Sequence, residues 1–270
     1  KSFIATMERH FGKPANARQF ADWAQWINYD GYRAMYEGSQ QQRMGLLIWM
    51  SHSCWPSMVW QTYDYYLEPT GAYFGLKKAC EPLHVQYNPV KKAVEVVNLG
   101  TGRHDALTVT AQTINLQGRV IREWKASLSI DDDQTLSPLT LELPQDEVYF
   151  IRLKLEEQGK LWSENTYVQS RETDNWKALT SLPKATVTQQ VAFKVVGEER
   201  QGTVTLRNTS DTPALMLRLN LKGTDGEQIL PVLWSDNYFH LMPGEIKTVT
   251  VSYLLEDGRG VEPKVEVTTM

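Results

Sequence analysis

The sequence predicts a multidomain chain, α/β in its first third and all-β afterwards: the C-terminal end of a TIM (β/α)8 barrel, then two immunoglobulin-like β-sandwiches. Three observations carry this. Apolar residues in the first third recur at helical steps around one unbroken apolar run. After Pro82 the period changes to strict alternation, the mark of short antiparallel strands. That alternating region then repeats itself. The expected boundaries are 1–82 for the barrel end, 83–180 for the first sandwich and 181–270 for the second.

Residues 2–11 read as a short helix, and Pro14 and Asn16 suit a loop and the entry to a longer one. Over 18–42, Phe20, Trp23, Trp26, Ile27, Tyr32, Met35 and Tyr36 form a stripe that must face something apolar. "MGLLIWM", residues 44–50, is a strand-length apolar run, as in a parallel strand buried on both faces. Residues 72–80, "AYFGLKKAC", read as a helix stopped by Pro82. Helix, buried strand, loop and helix is the rhythm of an α/β barrel or a doubly wound sheet. One such unit cannot bury its own apolar faces, whereas a barrel has eight, so the segment reads as a barrel's tail.

Beyond Pro82, "LHVQYNPVKKAVEVVNLG", "LTVTAQTINLQGRVI", "PLTLEL" and "VYFIRLKLE" alternate between turn residues, which indicates a sandwich. Asn98 ends one strand, and Leu107, Val109 and Ala111 alternate before Gly118. Asn208 likewise ends a strand, and Leu215, Leu217, Leu219 and Gly226 repeat the spacing from Leu107 to Gly118, at an offset close to the length of one immunoglobulin-like sandwich. "WKALTSLPKATV", with Pro183, reads as the joint.

Composition excludes several classes. With a net charge of −4, no basic face suggests nucleic acid, and no stretch approaches a membrane span. Two cysteines, Cys54 and Cys80, are too few for a disulfide framework. Position 1 is Lys with no signal peptide before it, so the chain reads as a piece of something longer.

Candidate chemistry clusters near the aromatic run 45–66. His52, Cys54, Cys80 and His84 hold metal-ligating atoms, but their spacing matches no standard zinc finger or ribbon, so no metal is expected. Asp64, Glu68 and Glu81 form a conceivable acid and base set; the competing reading gives Asp64 a turn and Glu81 a chain reversal. Ser53 and Ser57 lack a nucleophile-elbow context, and Asp131–Asp133 reads as a solvated turn, with a weak calcium site as the alternative. Trp49 and Trp55 are placed where a barrel assembles its active site, and their flat faces suit a sugar ring. Trp60, Tyr65 and Tyr66 are expected to pack.

The stretch "LIWMSHSCWPSMVWQTYDYYLEPTGAYFGLKKACEPLHVQY" resembles the last barrel strand and helix of glycoside hydrolase family 2, especially its exo-β-D-glucosaminidases and mannosylglycoprotein endo-β-mannosidases. Trp49, Trp55-Pro56-Ser57, Trp60, Tyr63-Asp64-Tyr65-Tyr66, Tyr73-Phe74-Gly75, Lys77-Lys78 and Glu81-Pro82-His84-Val85-Gln86 carry the match. "LPVLWSDNYFHLMPGE", residues 230–245, is similar to the closing sandwich of the same enzymes.

The resemblance implies a retaining glycosidase whose acid follows barrel strand 4 and whose glutamate nucleophile follows strand 7, about 5 Å apart. Both would precede Lys1, and Glu8 falls inside a helix, so no catalytic residue is expected in this chain. The sugar-binding residues it implies are Trp49 and Trp55. Relatives commonly carry Asn or Asp where this chain has Ser53, with His52 supplying an alternative hydrogen bond, so sugar preference does not transfer here. The implied partners are a carbohydrate substrate, met through the complete barrel, and the N-terminal remainder of the same protein. No cofactor is implied, and a secreted or periplasmic setting is favoured. The other reading from the residues is a non-catalytic carbohydrate-binding or scaffolding module, with Trp124, Trp162, Trp176 and Trp234 dispersed through the β region.

Overall fold

The structure is a computed structural model describing residues 2–40, 45–56, 61–172 and 174–270. Among the described residues, helices α1 (Ser2–His10), α2 (Ala17–Gln40) and α3 (Gly71–Ala79) precede fourteen strands. α2 starts where the sequence offers a cap: the Asn16 side chain accepts the Gln19 N–H at 2.9 Å, and Gln19 reaches back to the Ala15 N–H at 2.7 Å. The residues group into two compact units.

The first unit holds 1–14, 33–47 and 76–182. Its strands are β1 (Leu83–Asn88), β2 (Ala93–Asn98), β3 (His104–Ile114), β4 (Val120–Ile130), β5 (Gln134–Thr140), β6 (Val148–Glu157) and β7 (Lys160–Ser170). They form a three-stranded sheet, β1-β2-β5, and a four-stranded one, β4-β3-β6-β7. Alternate side chains of both sheets, among them Val85, Val94, Val109, Ile151 and Leu153, meet in one buried cluster, the core of a sandwich. The preceding helix residues bury against this sandwich's own segments. The His10 and Phe11 rings meet Trp176 at 4.4 and 5.7 Å, and Arg33 lies over the Tyr167 ring at 4.1 Å.

The second unit holds 15–32, 48–75 and 183–270. Its strands are β8 (Val187–Val196), β9 (Glu199–Asn208), β10 (Ala214–Gly223), β11 (Leu233–Trp234), β12 (Phe239–Leu241), β13 (Ile246–Leu254) and β14 (Pro263–Thr268). The sheets run β11-β13-β9-β8 and β12-β10-β14. Val204, Leu206, Leu217, Leu219, Val249 and Val251 are buried on alternating positions. The Trp26 ring packs on His240 at 5.1 Å and Phe74 on Tyr238 at 5.8 Å, so here too helix residues are covered by sandwich residues. α3 lies close on α2, because a Cβ on Gly71 or Gly75 would overlap the carbonyl oxygen of Gln25 or Tyr29.

The repeat has a physical counterpart. Asn98 ends β2 and Asn208 ends β9; both are fully buried, and each amide donates to a carbonyl four residues on and another thirty-three residues on. Each side-chain oxygen accepts from the following Thr101 or Ser210.

Two expectations are corrected. Residues 45–50 carry no strand, and Leu47 and Trp49 are exposed. A parallel strand exists only when neighbours complete its ladder, and among the described residues every ladder between named strands is antiparallel and none includes this segment. Met44 lies outside the described residues. In the α2 stripe Trp23, Trp26 and Tyr32 are buried as expected, but Met35 is exposed and the polar Arg33 and Glu37 are buried instead.

Candidate functional site

Trp49, His52 and Trp55 lie exposed on residues 48–56, Trp49 at 83% and Trp55 at 68%, while Ser53 is buried. The segment is held from one side by residues 61–70. The Ser51 carbonyl accepts the Tyr63 N–H and the Thr62 hydroxyl, each at 2.9 Å, and His52 bridges Tyr63. Thr70 closes the other side, its hydroxyl donating to the Gln61 and Thr62 carbonyls at 2.8 and 3.0 Å. The Gln25 side chain accepts the Gly71 N–H at 2.7 Å and fixes where α3 begins.

Between these ties Asp64 folds the corner. Its Oδ1 accepts the Tyr66 and Glu68 N–H groups at 2.8 and 2.9 Å, and Leu67 takes a left-handed φ of 68°. Burial pushes the Asp64 carboxyl up, against the opposing hydrogen bond from Glu68. Glu68 is turned away to β10: Oε1 accepts from Arg218, with Nε at 3.1 Å and Nη2 closer, and Oε2 accepts from Gln228 at 2.9 Å. The turn reading of Asp64 thus describes what its side chain does.

Glu81 and His84 belong to a buried cluster of the first unit. His84 sits between two carboxylates, Nε2 at 3.0 Å from Glu37 and Nδ1 at 3.1 Å from Glu81. Burial works against its charge, but the hydrogen bonds to Glu37 and Glu81 outweigh it, so its pKa is raised. Burial alone would raise Glu81; His84 and Lys78 outweigh that and hold it low. Tyr167 and Asn165 donate to Glu37 at 2.7 and 3.2 Å, and Ser163 and Lys78 donate to Glu81 at 2.6 and 2.7 Å. His84 is therefore committed within protein, while Cys54 and Cys80 are exposed thiols; among the described residues no group of three or more His, Cys, Asp or Glu is placed to hold a metal.

Tyr65 and Tyr66, expected to pack, are exposed and meet each other edge-on at 5.1 Å. Tyr63 packs in their place, 5.2 Å from Tyr73. The corner's tip turns Tyr65 and Tyr66 outward and Tyr63 inward. Trp60 and Ser57 lie outside the described residues.

The sequence reading missed Arg218, Gln228 and Tyr238, which hold or flank Glu68. Arg218 stands at an intermediate-burial position among buried leucines of β10, and a charged residue in such a run was the available signal.

Known proteins share this architecture. Residues 165–270 match the exo-β-D-glucosaminidase Ig-fold domain family. The exo-β-D-glucosaminidase of Streptomyces avermitilis is 33% identical over 99% of this chain and 33% of its own length. The crystal structure of the Amycolatopsis orientalis exo-chitosanase superposes with a TM-score of 0.93 at 28% identity, over 99% of this chain and 35% of that one. These matches are to glycoside hydrolase family 2 enzymes. The chain matches a C-terminal portion of such enzymes, and the mannosylglycoprotein endo-β-mannosidase of Lilium longiflorum is a more distant relative, 24% identical over 95% of the chain and 34% of its own length. The chain spans about a third of the length of the curated relatives it matches.

Proposed function

We propose that this chain is the C-terminal part of a retaining family 2 β-glycosidase that hydrolyses β-glucosaminide or β-mannoside bonds. In this reading residues 1–82 are the last helices of its barrel and the segment that would pair as its closing strand once the other barrel strands are present, with sandwiches over 83–180 and 181–270. The catalytic acid and nucleophile come from outside the 270 residues. Trp49 and Trp55 line the sugar subsite, and His52 and Ser53 stand beside them to meet hydroxyls.

The observation that carries the reading is the superposition on the exo-chitosanase along nearly the whole chain, helices and loop included. Exposure of Leu47 and Trp49 supports it physically, since an apolar run with no paired strand is what removal of neighbouring barrel strands would leave. A free-standing carbohydrate-binding module would offer an aromatic platform on a sandwich face. Trp176 and Trp234 are buried, and Trp124 and Trp162 pack against the first core.

The test is turnover of nitrophenyl β-glucosaminide and β-mannoside. The full gene product is expected to hydrolyse one of them and the isolated 270 residues neither; turnover by the isolated chain overturns the assignment of the carboxylates.

A further inference from the structure

We propose that Arg218, on β10 of the second sandwich, is a positioning residue for the sugar-facing segment 48–56, acting through Glu68. The proposal rests on the glycosidase reading and extends it: a residue of the Ig-fold domain sets the placement of Trp49 and Trp55.

Its basis is an unbroken series of short bonds within one unit. Arg218 grips Glu68 through Nε and Nη2, and Gln228 takes the other carboxylate oxygen while also donating to Asn220 at 3.0 Å. Glu68 and Asp64 are tied twice, Glu68 N–H to the Asp64 side chain at 2.9 Å and Asp64 N–H to the Glu68 carbonyl at 3.0 Å. Tyr63, the next residue back, donates to Ser51, between Trp49 and Trp55. The exposed aromatics thus ride on a strip whose far corner is fastened to a strand of the sandwich.

The fastening is built to stay put. Side-chain exposure is 34% for Arg218 and 14% for Glu68, so the pair is substantially shielded from solvent. Asn237 clamps the adjacent Leu219 backbone on both its N–H and carbonyl, at 2.8 and 2.9 Å, so the strand beneath the guanidinium cannot shift in register. Buried Tyr238 and half-buried Asp22 line the same small cavity of about 20 Å³, which has room for about one water and no ligand. The cluster is therefore a fastening and not a second binding site. Fixing an apolar wall in place pre-organises the binding surface, so less ordering is needed when a substrate binds.

The experiment uses the full gene product with R218M, E68Q, R218K and the R218M/E68Q pair. Steady-state kinetics on nitrophenyl β-glucosaminide and β-mannoside are read beside hydrogen exchange at residues 61–70. R218M and E68Q are each expected to raise KM by about 10-fold with kcat changed by less than about 3-fold, the signature of lost binding and not lost chemistry. The double variant should equal the single ones, since both break one coupling, and R218K should recover part of the loss. Amides of Tyr63, Glu68 and Thr70 should exchange faster while β8–β14 stay protected. A purely structural role would lower the melting temperature and leave KM where it was. Unchanged KM and unchanged exchange at 61–70 in folded R218M overturn the proposal; should R218M not fold, the same two readings on near-isosteric E68Q decide it. If the unmodified enzyme turns over neither substrate, the glycosidase reading fails, and unchanged KM has no meaning, but exchange at 61–70 still decides the fastening.

Discussion

Each unit contains a polar knot that ties helix or loop residues to its sandwich, and the two are built on different cations. In the first, the imidazole of His84, wholly buried, lies between Glu37 and Glu81. In the second, the guanidinium of Arg218, one-third exposed, holds Glu68 beside Asp22 and Tyr238. An imidazole can lose its proton within the ordinary pH range and a guanidinium cannot. Burial also separates them: a wholly buried pair stripped of one partner leaves an unsatisfied charge, whereas a pair with one-third of its cation exposed gives water partial access to the partner left behind. The first knot is thus strong and titratable, the second weaker and constant. That suits a core in one case and a fixed support in the other.

The largest test removes Glu37. Glu37→Ala leaves His84, Tyr167 and Asn165 without their shared acceptor and is expected to lower the stability of the first unit by about 3–5 kcal/mol, read by urea unfolding. Next comes pH. The folded pKa of His84 is raised, so its stabilisation is complete below the ordinary histidine value of about 6.5 and is lost as pH rises through the folded value. Glu81 is held low, so its share is present above the ordinary glutamate value and lost as pH falls through the lowered one. Protection of β1–β7 amides should therefore peak between these limits, and His84→Gln should remove the alkaline fall.

Asp22 and Asp64 carry the opposite sign. Burial raises both, so acidification through their raised values favours the folded second unit where it weakens the Glu81 contribution to the first. Amide exchange over β1–β7 and β8–β14, followed in one sample from neutral to acid, reads both. The smallest effect is Gln228→Ala. Arg218 still holds Glu68 and solvent replaces the lost donor, so about 1 kcal/mol is expected in the second unit. A loss as large as that of Glu37→Ala would erase the distinction between the knots.

Local chemistry was readable from the chain and long-range pairing was not. Alternation gave β1 and β2 with their Asn88-Pro89 turn, and the repeated Asn98 and Asn208 mark matching corners because an amide that closes a turn acts on near neighbours. Nothing local sets Glu37 apart from other polar helix residues, since His84 and Tyr167 lie far away in sequence. Arg218 stayed hidden for the same reason, its partner Glu68 lying 150 positions earlier. The stretch 45–50 failed differently: its apolar run was visible, but a ladder depends on neighbours that composition does not reveal. For the site, aromatic content marked the segment, and only coordinates separated inward Tyr63 from outward Tyr65 and Tyr66.

The paired asparagine corners have an engineering consequence. One amide at each corner staples a tight bend to a chain segment thirty-three positions downstream, so lengthening the bend itself would tear the staple out. The hairpin tips at Gly118 and Gly226 stand outside that grip. Affinity tags or fluorescent labels belong there, where added chain would leave both sandwiches stitched as they are.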